Sequence, residues 1–270
     1  MSSIQGSVRH ALAQKMYLAA ILVLMYIPIL LVIVYSFNGS RVTSLWRGFT
    51  FRWYAELFRD RAMFTALRNS VILGVLSSFS AAVIGALGAV GMSRFHPPGG
   101  RIMEYLSILP IMTPEIILGM VFLAFFSLLA LPLGMFTLVL AHTSFCIPYV
   151  YLLVKGRLAG MDKSYVEAAR DLGAGELRAF FDITLPIISP AVISGMLLSF
   201  AMSFDDVIVS VFVTGPNTNT LPIKIYSQLK TGITPKTNAL CTLLFGVTVV
   251  LCLASAYFAN KIKTMPHKTT

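Results

Sequence analysis

The chain has 270 residues, of which 57% are hydrophobic and 12% charged, against about 45–50% and about 25% in ordinary soluble domains. That gap argues against a soluble domain and points to an integral membrane protein. The net charge of +10 comes from Lys and Arg scattered among connecting segments, without a basic helix or aromatic RNA-type motif, so residues flanking membrane spans account for it better than nucleic-acid binding does.

A membrane-crossing helix needs about 20 apolar residues at about 1.5 Å of rise each. On that measure the chain predicts six spans, at about 16–37, 70–92, 102–130, 132–154, 187–213 and 237–259. The expected fold is an all-α membrane bundle forming one domain over residues 1–270. The first run is too long for a removable signal peptide and lacks a small-residue cleavage site, so it reads as a retained span. Between the first two spans, "FRWYAELFRDRAMFTALRNS" at 51–70 predicts an amphipathic interfacial helix, with Trp46 and Trp53 as anchors. The second run carries Ser77, Ala81, Gly85 and Ala89, each four residues apart, a small-residue stripe that lets helices approach closely. Pro110 and Pro114 interrupt the third run.

With six spans both termini lie on one side. Placing them in the cytoplasm puts 12 Lys and Arg inside and 9 outside, a weak bias in the expected direction. Cys146, Cys241 and Cys252 fall within apolar runs and read as small core residues, with no disulfide or metal spacing. No metal site or cofactor is expected.

Glu115, Asp205 and Asp206 lie in apolar runs, where ionisable side chains mark a pathway or a pair. Glu115 stands 14 residues beyond Arg101, roughly 20 Å by helix rise. Asp205 stands 19 residues beyond Pro186, roughly 29 Å on the same scale, so the aspartates are expected at the outer end and the glutamate deeper. Adjacent helical residues point about 100° apart, so Asp205 and Asp206 are not expected to face one cavity equally. Carboxylates in a pathway suit a cationic cargo, and aromatic faces add cation–π contacts. The bland alternative is that the aspartates sit in water at a helix end or pair with a partner subunit. His142 stands alone in the fourth run; a hydrogen-bonded structural histidine is the simpler reading, a ligand or proton relay the sharper one.

Between the fourth and fifth runs the chain turns polar. Ser164-Tyr165-Val166-Glu167 has the form of a capping box, predicting a helix from Tyr165, and Gly173 suits the left-handed residue that ends it. A second short helix is expected from Glu176, with Leu177, Phe180 and Phe181 on one face. Five basic and five acidic residues balance between Lys155 and Asp182, so this hairpin, 160–186, is not built to grip lipid electrostatically. A solvated linker and a docking element for a soluble partner are the two readings that remain.

Glu167-Ala168-Ala169, then Gly173, Ile183 and Leu185-Pro186 match the EAA motif of ABC importer permeases in spacing. The chain therefore resembles binding-protein-dependent permeases of the six-span type I (MetI-like) fold. "FNGSR" at 37–41, "WYAEL" at 53–57, "AHTSFCIPYV" at 141–150, "SFDDVIVSVFVTGP" at 203–216, "LPIKIYS" at 221–227 and "TPKTNAL" at 234–240 resemble the PotC-type permeases of spermidine/putrescine importers. The resemblance implies that the hairpin is a cytoplasmic coupling element seated on an ATPase. It also implies a second, PotB-like permease, a homodimeric ATPase and an extracytoplasmic polyamine-binding protein as partners, in a plasma or inner membrane. No phosphate-binding loop, H-E-x-x-H or G-x-S-x-G occurs, so ATP hydrolysis is assigned to another chain. Import of a different small solute, or ATP-independent secondary transport, are the rival readings. The EAA spacing tells against the second of these.

Overall fold

In the computed structural model, which describes residues 2–41, 45–95, 97–162, 164–232 and 234–263, the chain is almost wholly helical. In chain order the helices are α1 (Ser2–Tyr35), α2 (Arg52–Phe58), α3 (Arg61–Phe95), α4 (Gly100–Met112), α5 (Glu115–Leu128) and α6 (Met135–Ala159). There follow α7 (Ser164–Asp171), α8 (Glu176–Ala179), a π-helical turn (Phe180–Thr184), α9 (Leu185–Asp205), α10 (Ile208–Val213), α11 (Leu221–Thr231) and α12 (Pro235–Lys263). Among the described residues the sole β-type pairing is one antiparallel bridge between Asn38 and Phe49. Lys163 and Lys268, both counted in the charge bias, lie outside the described residues.

Contacts divide the chain into two compact units, residues 1–61 with 227–270, and residues 62–226. In the first, α12 packs against α1 and α2. Asn38 organises the connection after α1: its Nδ2 donates to Leu45 O at 2.8 Å, and its Oδ1 accepts the Ser40 and Arg47 amides at 3.1 and 3.0 Å. Trp53 is buried and its Nε1 donates to Asn38 O at 2.6 Å. It is thus a core residue of this unit and not the interfacial anchor expected of it; Trp46 is exposed. The predicted interfacial helix over 51–70 is also split. It breaks at Arg59–Asp60, and its second half is the start of α3, where Met63, Ala66 and Ser70 are buried.

Among the described residues four helices are long and apolar enough to cross a membrane: Gln14–Tyr35, Arg61–Phe95, Met135–Ala159 and the run Glu176–Asp205; Pro235–Val250 of α12 is a shorter apolar helix. Two predicted spans depart from single rods. The third is α4 and α5, bent by 110°. Pro114 lacks an N–H and pushes the preceding residue out of the helical region, and Thr113 is extended, at φ −87° and ψ 131°. Pro110, by contrast, is accommodated inside α4. The fifth ends at Asp205, not Val213; Asp206 is extended and α10 is a separate helix.

The larger unit is built on α6, which packs against α4, α9 and α10. Every member of the small-residue stripe is buried. A Cβ added at Gly85 would stand 2.9 Å from Val150 Cβ and 3.0 Å from Ile147 O, so glycine is what lets α3 meet α6 backbone to backbone.

Candidate functional site

Both helix breaks open on one cavity of about 280 Å³. Thr113 and Glu115 line it from the α4–α5 break, Asp205 to Ile208 from the α9–α10 break, and Phe145 and Tyr149 from α6. Non-helical backbone at membrane depth is tolerated where it faces protein or a water-filled cavity, because water or side chains can satisfy the freed groups. The breaks thus place all three acids singled out in the sequence around one cavity. Helix-rise arithmetic assumes straight rods, whereas the chain bends at Thr113 and again at Asp206.

The three carboxylates are not equivalent. Glu115 is exposed to the cavity in the first turn of α5, where the helix dipole favours a negative charge. Asp205 is likewise exposed. Asp206 is turned into the protein, with its side chain 6% accessible. It caps α10, with Oδ1 accepting the Val209 amide at 3.2 Å and Oδ2 the Ser210 amide at 2.7 Å. Both aspartates therefore line the cavity, but unequally.

Behind Asp206 lies a polar chain that sequence reading did not assemble. His142 is fully buried, with Nδ1 2.8 Å from Ser203 Oγ and Nε2 3.0 Å from Ser210 Oγ and 3.5 Å from Asp206 Oδ2. Ser77 of the small-residue stripe lies 2.9 Å from Ser203 Oγ. The chain ties α3, α6, α9 and α10 together, and gives His142 the hydrogen-bonded structural role that was the simpler expectation. Isolated serines in apolar helices carry no sequence signal of such a partnership.

The second candidate element is the hairpin. It begins one residue earlier than expected, at Ser164, whose amide donates to Asp162 Oδ1 at 2.9 Å. The cap is thus Asp162, not Ser164, and the donated bond holds the Asp162 carboxyl below its ordinary range. Glu167, Ala168 and Ala169 lie on α7. Gly173 closes the helix at φ +84°, with the Gly173 amide on Arg170 O at 2.8 Å and the Ala174 amide on Ala169 O at 3.0 Å, the paired bonds of a Schellman motif. Glu176 joins Arg94 at 3.1 Å and also pairs with Arg170, fastening the hairpin to the end of α3.

Ile183 falls in the π turn, and Leu185-Pro186 open α9. The wider turn accommodates a proline ring that would crowd the carbonyl four residues back. It also corrects the predicted apolar face. Ala179 and Thr184 are buried and Phe180 packs on the core, whereas Leu177 and Phe181 point outward, 75% and 59% exposed.

Residues 81–263 match the family described as binding-protein-dependent transport system inner membrane component. The chain is 41% identical to the spermidine/putrescine transport system permease protein PotC of Escherichia coli K12, covering 90% of this chain and 92% of that one. It is 39% identical to the putrescine transport system permease protein PotI of the same strain, covering 86% and 85%. Among solved structures, a bacterial ABC transporter involved in import of the acidic polysaccharide alginate matches with a TM-score of 0.75 at 15% identity, covering 94% of this chain and 98% of that one. That likeness speaks to the fold.

Proposed function

The chain belongs to the family of binding-protein-dependent transport system inner membrane components, and from that premise we propose that it is the permease subunit of an ATP-driven importer carrying polyamines into the cytoplasm by alternating access. The observation that carries this reading is the cavity where two broken helices meet. Two exposed carboxylates, Glu115 and Asp205, stand there beside the rings of Phe145 and Tyr149. Carboxylates offset the desolvation of ammonium groups, and aromatic faces attract them further. The relatives named for spermidine and putrescine are similar over nearly their whole length.

The importer needs further subunits: a second, PotB-like permease, a homodimeric cytoplasmic ATPase and an extracytoplasmic polyamine-binding protein. Both termini of this multi-pass chain lie in the cytoplasm, on the side of the hairpin. Residues Glu167, Ala168, Ala169, Gly173, Ile183, Leu185 and Pro186 couple the ATPase to α9. The test is uptake of labelled spermidine by vesicles containing the four components, with and without ATP. ATP-dependent import that disappears when this chain is omitted is the expected result. Hydrolysis of ATP by this polypeptide alone, or failure of spermidine and putrescine to be imported, overturns the reading.

Coupling has its own expected outcome. A Cβ at Gly173 meets nothing within 4 Å, so a substitution there acts through the backbone alone. Gly173→Val strains the left-handed turn by about 1 kcal/mol or more. Uptake is expected to fall while the subunit still inserts, and Gly173→Asn, which tolerates this conformation better, is expected to keep more activity. Parental transport and ATPase association in Gly173→Val would refute the coupling role.

A further inference from the structure

A larger cavity, of about 630 Å³, lies between the first turns of α4, the end of α3 and the last turns of α6. Arg101, Glu104, Tyr151, Lys155 and the apolar side chains of Met92 and Ile102 line it. The same two helices, α4 and α6, wall both cavities: Pro110 and Tyr149 belong to the acidic one, Glu104 and Lys155 to this one. Each pair is six residues apart, about 9 Å by helix rise, and along α6 the step leads toward the hairpin.

Within this cavity Lys155 Nζ pairs with Glu104 Oε1, across 51 residues of chain. Neither group is sealed away, since their side chains are 44% and 31% exposed. Exposed ion pairs contribute little to stability, so holding the fold is a weak account of this one. A lysine side chain is itself a primary alkylammonium on a four-carbon stem. Its seat on Glu104 shows that this carboxylate accepts an alkylammonium at the cavity wall. Tyr151, one helical turn from Lys155 on the same face, is buried and its Oη has no hydrogen-bond partner among the described residues.

We propose that Glu104 is a second amine-binding site on the inner half of the route, and that Lys155 is a tethered cation that reclaims it and expels the cargo. The proposal rests on the polyamine-import reading. An ammonium leaving the acidic cavity reaches one further carboxylate before the cytoplasm. The lysine competes for it intramolecularly, at an effective concentration that free cargo does not match. With the lysine seated, the Glu104 carboxylate carries no unbalanced charge while cargo is absent, and the exit does not become a trap.

The test uses the assembled complex of both permeases and the ATPase, without the binding protein, and radiolabelled spermidine as the probe. Lys155→Met, which keeps the alkyl bulk and removes the charge, is expected to bind spermidine about fivefold more tightly than the parent. Its maximal uptake rate with binding protein present should fall while KM stays level or drops. Glu104→Gln/Lys155→Met should lose the gained affinity, an outcome that a merely structural pair does not produce. Lys155→Gln repeats the measurement by a second route; if neither Lys155 variant assembles, the pair is structural and the proposal falls. Unchanged affinity in Lys155→Met, or a gain that persists in the double variant, also overturns it. Absence of import by the parent complex would instead overturn the polyamine reading itself.

Discussion

Glu115→Gln is expected to lower polyamine uptake by about tenfold to hundredfold while leaving membrane abundance and subunit association at parental levels. Glu115 is exposed to the cavity, and among the described residues no ion pair or side-chain hydrogen bond holds it. Removing its charge therefore strands no partner in the protein. What is lost is the offset it gives an ammonium during passage. Asp205→Asn should behave in the same way for the same reason. Asp206→Asn differs, because the carboxylate caps α10, and an amide oxygen can accept only part of that pattern. Its loss of uptake should come with loss of protein. Measuring abundance, co-purification with the ATPase and spermidine uptake for all three variants separates the two classes. Parental import by all three places the cation path elsewhere.

These expectations depend on bends that the sequence only half discloses. The three acids stood out because apolar runs make any charge conspicuous. The hairpin was legible because its signals are local: a capped start, a left-handed glycine and fixed spacing to Leu185-Pro186. Tertiary placement was another matter. Pro110 and Pro114 look alike in the third run, yet the helix absorbs the first and breaks at the second. The break after Asp205 has neither proline nor glycine. Its signal is Asp206 itself, a residue suited to start a helix, placed just before Ile208. Trp53 was misplaced because an aromatic beside arginines fits an interface as well as a core. Only the folded partner, the carbonyl of Asn38, distinguishes them.

Serine carries still less information. Ser77, Ser203 and Ser210 sit on three helices, and any of them can satisfy itself by bonding to the carbonyl one turn back, as Ser77 also does with Leu73 O at 2.7 Å. Their convergence on His142 follows from the packing of α3, α6, α9 and α10, which no local pattern states. It explains how a carboxylate nearly out of reach of solvent is held at the edge of the cavity. Two backbone amides satisfy Asp206 from α10, and the imidazole stands behind it.

His142→Leu should therefore fail in a different way from Glu115→Gln. Leucine is of similar bulk, so the cavity term is small, but it leaves the hydroxyls of Ser203 and Ser210 without the ring. A buried polar group deprived of its partner costs on the order of 1–3 kcal/mol, and hydrogen bonds between membrane helices usually contribute less, about 0.6 kcal/mol on average. Two such groups lost together should lower the thermal midpoint of the purified complex and reduce membrane abundance several-fold, with uptake falling in proportion. His142→Gln keeps a donor and an acceptor at the site and is expected to retain more protein and more transport. The readout is uptake per unit of assembled complex. That ratio should stay near parental in His142→Leu and collapse in Glu115→Gln, because one variant loosens the frame and the other disarms the passage. If His142→Leu accumulates and melts like the parent yet imports nothing, the histidine acts on the cargo directly and the structural assignment made for it is wrong.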